Sequence, residues 1–125
     1  MTGFGKLGIN WGLSNVIESK EYKISSSRKN FLVKELVVNA KSSISLQKHH
    51  HRSEHWMITQ GKPKITINKN KFYKKPFESV FIPTGAIHRI ENKFKKPVKI
   101  LEIQTGPILK ETDIVRYQDI YGRIK

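Results

Sequence analysis

The sequence predicts an all-β protein, a sandwich or barrel of short strands, and three observations carry that reading. Runs rich in Val, Ile, Leu and Phe recur from Glu21 onward, Gly, Pro and Asn separate them, and Lys64-Ile-Thr-Ile-Asn alternates polar with apolar residues. Strict alternation gives a strand one dry and one wet face. A chain of 125 residues is long enough to close one hydrophobic core.

The first strand expected is Lys29 to Asn39, dense in β-branched and large apolar residues, and Ala40-Lys-Ser-Ser is the polar turn after it. Ile44-Ser-Leu-Gln follows, then Glu54 to Thr59, which stops at the turn signal Gln60-Gly61. Beyond Lys64 to Asn68, Asn68-Lys-Asn-Lys reads as a hairpin tip leading into Phe72-Tyr73. Ser79 to Pro83, His88 to Asn92 and Val98 to Gln104 complete the series. The glycine-rich first twelve residues read as an arm, which gives an N-terminal arm over 1–20, a barrel over 21–110 and a tail over 111–125. Within the tail, Thr112-Asp113 can start a short helix near Glu111 to Tyr117. Trp56, Ile58 and Phe81 read as core.

Composition narrows the chemistry. The chain has no cysteine, which excludes disulfides, thiolate metal sites and a cysteine nucleophile, so any metal must be held by nitrogen and oxygen. There is no apolar run of bilayer length and no signal peptide, so a soluble, cytoplasmic protein is expected, with no membrane partner. The net charge of +14 is spread over the chain without a dense block, and no basic-aromatic interleaving suggests a stacking platform. A solvated surface therefore accounts for the charge better than nucleic-acid binding does, and an anionic small substrate is compatible with it.

Two segments carry the functional signal. In Gln47-Lys48-His49-His50-His51-Arg52-Ser53-Glu54, Gln47 and His49 share one face of a strand, and a turn separates them from Glu54. In Pro83-Thr84-Gly85-Ala86-Ile87-His88-Arg89-Ile90-Glu91-Asn92, a tight turn at Gly85 delivers His88 to the start of the next strand. An amide, two imidazoles and a carboxylate converging from two hairpins would suit a borderline divalent metal. A carboxylate at Glu54, within an apolar strand, would be costly to bury without a cation. The bland alternatives are a solvated turn for His50 and His51 and a self-satisfied amide for Gln47.

The second segment fits the cupin pattern P-x-G-x-x-H-x-x-x-N at every fixed position. The first fits H-x-H-x4-E-x6-G, closing at Gly61, except that Gln47 replaces the first histidine. The glycine expected six residues before Pro83 is Phe77, which weakens that turn. Within the cupins, Ser45 to Trp56 resembles the C-terminal domain of type II phosphomannose isomerases, which is usually fused behind a guanylyltransferase domain. Trp11-Gly12, Gln104-Thr-Gly106, Asp113 to Asp119 and Tyr121-Gly-Arg123 are similar to that domain as well.

The resemblance implies a double-stranded β-helix, the jelly-roll barrel, and a homodimer. It implies Gln47, His49, Glu54 and His88 as ligands of one divalent metal, zinc first, with cobalt, manganese, nickel or iron as alternatives. Glutamine in the first slot fits the phosphomannose isomerases better than the oxalate-degrading or germin-like cupins. The implied activity is interconversion of mannose 6-phosphate and fructose 6-phosphate, without nucleotidyl transfer. For proton transfer or phosphate binding the candidates are His51, Arg52, His55 and Arg123, although strand alternation points His55 away from Glu54. Lys34 and Arg89 qualify as phosphate contacts on charge alone. A non-catalytic sugar-phosphate-binding cupin, and a cupin dioxygenase or epimerase, remain the competing classes.

Overall fold

The computed structural model describes residues 17–22 and 30–118, with 17–22 and 118 given by backbone alone. Ten strands run in chain order: β1 (Ile17–Tyr22), β2 (Phe31–Val38), β3 (Leu46–Lys48), β4 (Ser53–Gln60), β5 (Lys64–Ile67), β6 (Asn70–Tyr73), β7 (Ser79–Ile82), β8 (His88–Glu91), β9 (Val98–Thr105) and β10 (Val115–Gln118). They form two five-stranded antiparallel sheets, ordered β1-β2-β9-β4-β7 and β10-β3-β8-β5-β6. This is the jelly roll that the resemblance implies. No helix of the described residues is long and apolar enough to cross a membrane.

Alternation along β4 and β9 builds the interior and also divides it. Trp56 and Ile58 on β4, Val98 and Ile100 on β9 and Val38 on β2 face inward with Ile65, Ile82 and Ile90, and together they form the apolar core. The same inward parity then continues into Glu54, Glu102, Gln104 and Lys34, all buried. Cross-strand register places Lys34 beside Glu102 and Glu102 beside Trp56, with Gln104 beside Glu54. One end of the barrel is therefore a packed hydrophobic plug, and the other is a polar chamber standing on it.

Three expectations change. Residues Glu111 and Thr112 form a turn, and β10 follows as a strand on the edge of β3, so the tail contains no helix over Glu111 to Tyr117. The reason is that Asp113 spends its carboxylate on the backbone of the histidine turn, donors that a helix N-terminus would otherwise supply. Phe81 is not core: it is 47% exposed on the outer face, because it pairs with His55, an outward position of β4. The third concerns the arm: β1 straddles the boundary expected at residue 20 and pairs along β2. The first twelve residues, Trp11 among them, lie outside the described residues.

Candidate functional site

The polar chamber is where the two sequence segments meet. His49, Glu54 and His88 are all buried, and one donor atom from each lies within 4.8 Å of the other two. Glu54 Oε2 is 3.2 Å from His49 Nε2, and Glu54 Oε1 is 3.9 Å from His88 Nε2. Gln47 sits directly opposite His88 in the β3–β8 register and lines the same cavity. Its amide oxygen accepts a hydrogen bond from Ser45 Oγ at 3.3 Å.

Backbone carbonyls fix the orientation of both imidazoles. His49 Nδ1–H donates to the Asp113 carbonyl at 2.6 Å, and His88 Nδ1–H donates to the Ala86 carbonyl at 2.9 Å. Each ring therefore turns an Nε2 lone pair toward Glu54, the tautomer a metal ligand needs. Burial lowers the pKa of both; His49 falls to about 4, with the Arg52 guanidinium adding to the effect. Neutral rings at physiological pH are the ligating form. His88 Nε2 is buried and has no hydrogen-bond partner, an unsatisfied lone pair that a cation would satisfy. With donor separations of this size and a nitrogen–oxygen donor set, the residues present fit a divalent metal at ~2.0–2.2 Å from each ligand.

The turns that place these groups are specific. Gly85 adopts φ +85°, and its N–H donates to the His49 carbonyl at 2.9 Å, so the Pro83–Gly85 turn ties one segment to the other. Asp113 accepts from the N–H groups of His50 and His51 at 2.8 and 2.9 Å. Although burial opposes it, these two N–H groups hold the Asp113 carboxyl below its ordinary pKa. On the other side, Gly106 packs so closely on the His51 carbonyl and the Arg52 Cα that a side chain there would collide with backbone. Asn92 closes the second segment structurally, donating to the carbonyls of Val38, Asn39 and Lys96.

Of the remaining candidates among the described residues, Arg52 and Lys34 reach the chamber, and Arg52 touches the ligand group. Its Nε donates to Glu54 Oε2 at 2.9 Å and its Nη2 to His49 Nε2 at 3.2 Å. His51 is exposed and lines a shallow depression beside Thr84 and Pro107. His55 lies on the outer face, where its ring stacks on Phe81 with centroids 4.6 Å apart. The structure does not bring either to the cavity. Arg123 lies outside the described residues, and Arg89 extends toward the Ile44 carbonyl.

Sequence reasoning missed Glu102. Burial raises its carboxyl to about 8, with the neighbouring Glu54 charge adding to the effect. Trp56 Nε1 donates to Glu54 Oε1 at 2.9 Å and leans on Glu102 Oε2 at 3.4 Å, joining the two carboxyls. The signal was present in parity, since Glu102 falls between Ile100 and Gln104 on the inward face of β9. Arg116 lines the cavity from β10, where it pairs with Gln47. The cavity itself measures about 90 Å³.

Comparison with known proteins agrees with this geometry. The family model described as Mannose-6-phosphate isomerase C-terminal matches residues 10–119. The alginate biosynthesis protein AlgA of Pseudomonas putida is 43% identical over 93 residues, which cover 74% of this chain and 19% of that protein. The mannose-1-phosphate guanylyltransferase ManC of Salmonella typhimurium is 37% identical over 114 residues, 91% of this chain and 22% of that protein. The chain thus spans about a fifth of the length of these relatives. Among solved structures, the cupin domain of Schizosaccharomyces pombe Cnp3 superposes with a TM-score of 0.67 at 19% identity, covering 73% of this chain and 65% of that one. A predicted oxalate decarboxylase from Thermotoga maritima gives 0.63 at 21% identity, covering 72% and 82%. At these identities the structural likeness speaks to the fold alone.

Proposed function

The chain belongs to the family described as mannose-6-phosphate isomerase C-terminal, and from that premise we propose that it is a metal-dependent isomerase interconverting mannose 6-phosphate and fructose 6-phosphate. The observation that supports this most is the buried His49–Glu54–His88 group, beside a cavity lined by Lys34, Arg52 and Arg116 together with Glu102 and Glu111. We assign Gln47, His49, Glu54 and His88 as the ligands, with zinc as the first metal to test and cobalt, manganese, nickel and iron after it. The ion would polarise a sugar carbonyl and its neighbouring hydroxyl and offset negative charge that develops during proton transfer.

The chain's own residues do the rest. Asp113 and Ala86 hold the imidazoles in the ligating tautomer. Trp56 fixes one oxygen of Glu54, leaving the second toward His49 and Arg52. The apolar layer beneath, with Ile58 and Ile100 fully buried, excludes water from below and makes each charge in the chamber count for more than in bulk solvent. A homodimer is part of the proposal, supported by the outer face of β4 and β7, where Met57 is 38% and Phe81 47% exposed.

The test is a coupled isomerase assay on metal-stripped protein, with zinc, cobalt, manganese, nickel and iron restored one at a time. Turnover with at least one metal is expected, together with loss of metal occupancy in His88→Ala. Absence of turnover with every metal, in protein shown to bind them, rejects the isomerase. Sugar-phosphate binding without conversion would then mark a non-catalytic binder, and oxygen-dependent turnover with iron a dioxygenase.

A further inference from the structure

Lys34 is a charged side chain in an unusual place. It lies on the inward face of β2, with its side chain 8% exposed, and it lines the same cavity as His49 and Glu54. A buried ammonium is costly unless something anionic meets it. Its register neighbour Glu102 is hydrogen-bonded to Trp56 and Gln104. The group that meets Lys34 is Glu111, whose Oε2 lies 2.7 Å from Nζ. Glu111 does not belong to the barrel wall. Its side chain is 57% exposed, and it sits in a turn of the tail that lines the cavity.

The size of the cavity bears on this. At about 90 Å³ it is well below the ~300 Å³ at which small-molecule sites usually begin, so a sugar phosphate enters only if part of the lining yields. The strands of the wall are tied by long ladders, β2 to β9 over eight register pairs from Phe31 to Val38. Glu111 stands outside those ladders, in a turn closed by the Asp113 N–H on the Lys110 carbonyl at 3.1 Å, and an ion pair with one exposed partner contributes little to stability. The Glu111 side chain can therefore leave Lys34 at small cost while Asp113 keeps the tail anchored.

We propose that Lys34 is the anion-binding group of this chamber and that Glu111 is a built-in carboxylate that occupies it until a phosphate monoester displaces it. Exchange of Glu111 for the phosphate would both pair the buried ammonium with a more highly charged partner and clear the Glu111 side chain from the cavity lining. For a sugar phosphate this rests on the isomerase reading above; the exchange itself requires only the phosphate.

Calorimetric titration of metal-free protein with inorganic phosphate at low ionic strength tests the exchange, because no metal is then present to bind the anion. Glu111→Gln, an exposed and isosteric change, is expected to tighten the phosphate Kd about tenfold, and Lys34→Met to remove measurable binding. An unchanged or weaker Kd in Glu111→Gln overturns the proposal, as does phosphate binding that survives in folded Lys34→Met. If Lys34→Met fails to fold, the Glu111→Gln result decides alone. Parallel titrations with mannose 6-phosphate and mannose show whether the sugar adds affinity. Phosphate exchange as expected, with no isomerase turnover under any metal, would sink the isomerase and leave the subsite standing; turnover without phosphate exchange would do the reverse.

Discussion

Arg52 Nη2 lies 3.2 Å from His49 Nε2, and its Nε donates to Glu54 Oε2 at 2.9 Å, so one guanidinium engages donor atoms of two assigned metal ligands at once. With Nδ1–H of His49 committed to Asp113, the Nε2 lone pair has no other role than to accept. In the metal-free protein the Arg52 cation therefore satisfies the carboxylate and imidazole that a metal ion would take. Metal entry must break both contacts, and a charge-assisted hydrogen bond contributes about 1.5–3 kcal/mol. Arg52→Met should bind zinc roughly tenfold more tightly, since about 1.4 kcal/mol is a factor of ten. Competition against a chelator of known affinity measures this. Equal or weaker binding in the variant would refute the guanidinium as a competitor.

Asp113 organises the same turn from outside the chamber. Its two carboxylate oxygens hold the N–H groups of His50 and His51, and its carbonyl holds the His49 ring. Asp113→Ala removes the first two bonds and loosens the third by freeing the tail. Outer-shell partners of this type alter metal affinity by about 10–100-fold. Zinc affinity should drop within that range, and Asp113→Asn, which keeps one acceptor, should recover part of it. A variant that unfolds more readily yet loses no metal affinity would show Asp113 to be merely a tail anchor.

Much of this was legible in the sequence, and for identifiable reasons. Turn residues and alternation give nearly every strand from β2 to β9, because Gly61, Gly85 and the Asn68 tip break the runs where the chain must reverse. The pairs His49–Glu54 and His88–Asn92 sit at spacings set by hairpin geometry, so their convergence follows from the local order of strands and turns. The tail was misread because Thr112-Asp113 is a helix start only if its side chains stay local. Asp113 instead acts across 63 residues on His50, a contact that no local pattern encodes. Glu102 went unweighted and Lys34 was weighed on charge alone for a related reason. Each is a charge at an inward strand position, where parity gives the face but the barrel closure shows that this end of the interior is polar.

Phe77 occupies the position where the cupin pattern carries glycine, and its backbone takes φ +71°. That left-handed conformation costs a side-chain-bearing residue about 1–2 kcal/mol. The conformation is nonetheless enforced, because the Phe77 N–H donates to the Ile58 carbonyl at 2.7 Å. The ring gives little in return, being 79% exposed. Phe77→Gly should therefore stabilise the protein by about 1 kcal/mol, after allowance for the greater freedom of glycine in the unfolded chain. Denaturant midpoints compare the two forms. A destabilised variant would mean that the exposed ring makes a contact worth more than the strain.

Opposing titrations inside the chamber should give the metal-free protein a stability maximum close to pH 6.5. His49 falls from an ordinary 6.5 to about 4 when buried, and His88 is lowered as well. Each ring stays neutral further into acid in the fold than in the unfolded chain, where it takes up a proton below pH 6.5. The stability they contribute is thus complete above that pH and is lost on acidification. Glu102 acts in the opposite sense, raised from 4.5 to about 8 by burial. It holds a proton that the unfolded chain releases above pH 4.5, so its contribution is lost as pH rises toward 8. Each unmatched proton changes stability by up to about 1.4 kcal/mol per pH unit. Below pH 6.5 His49, with His88 acting in the same sense, outweighs the carboxyl and stability climbs toward pH 6.5; from 6.5 to 8 the carboxyl acts alone and stability declines. Unfolding midpoints in denaturant across pH 4.5 to 8 read the curve directly. Glu102→Gln should flatten the alkaline limb and steepen the acidic one, and a limb above pH 6.5 that stays unchanged in that variant would assign the decline to another group.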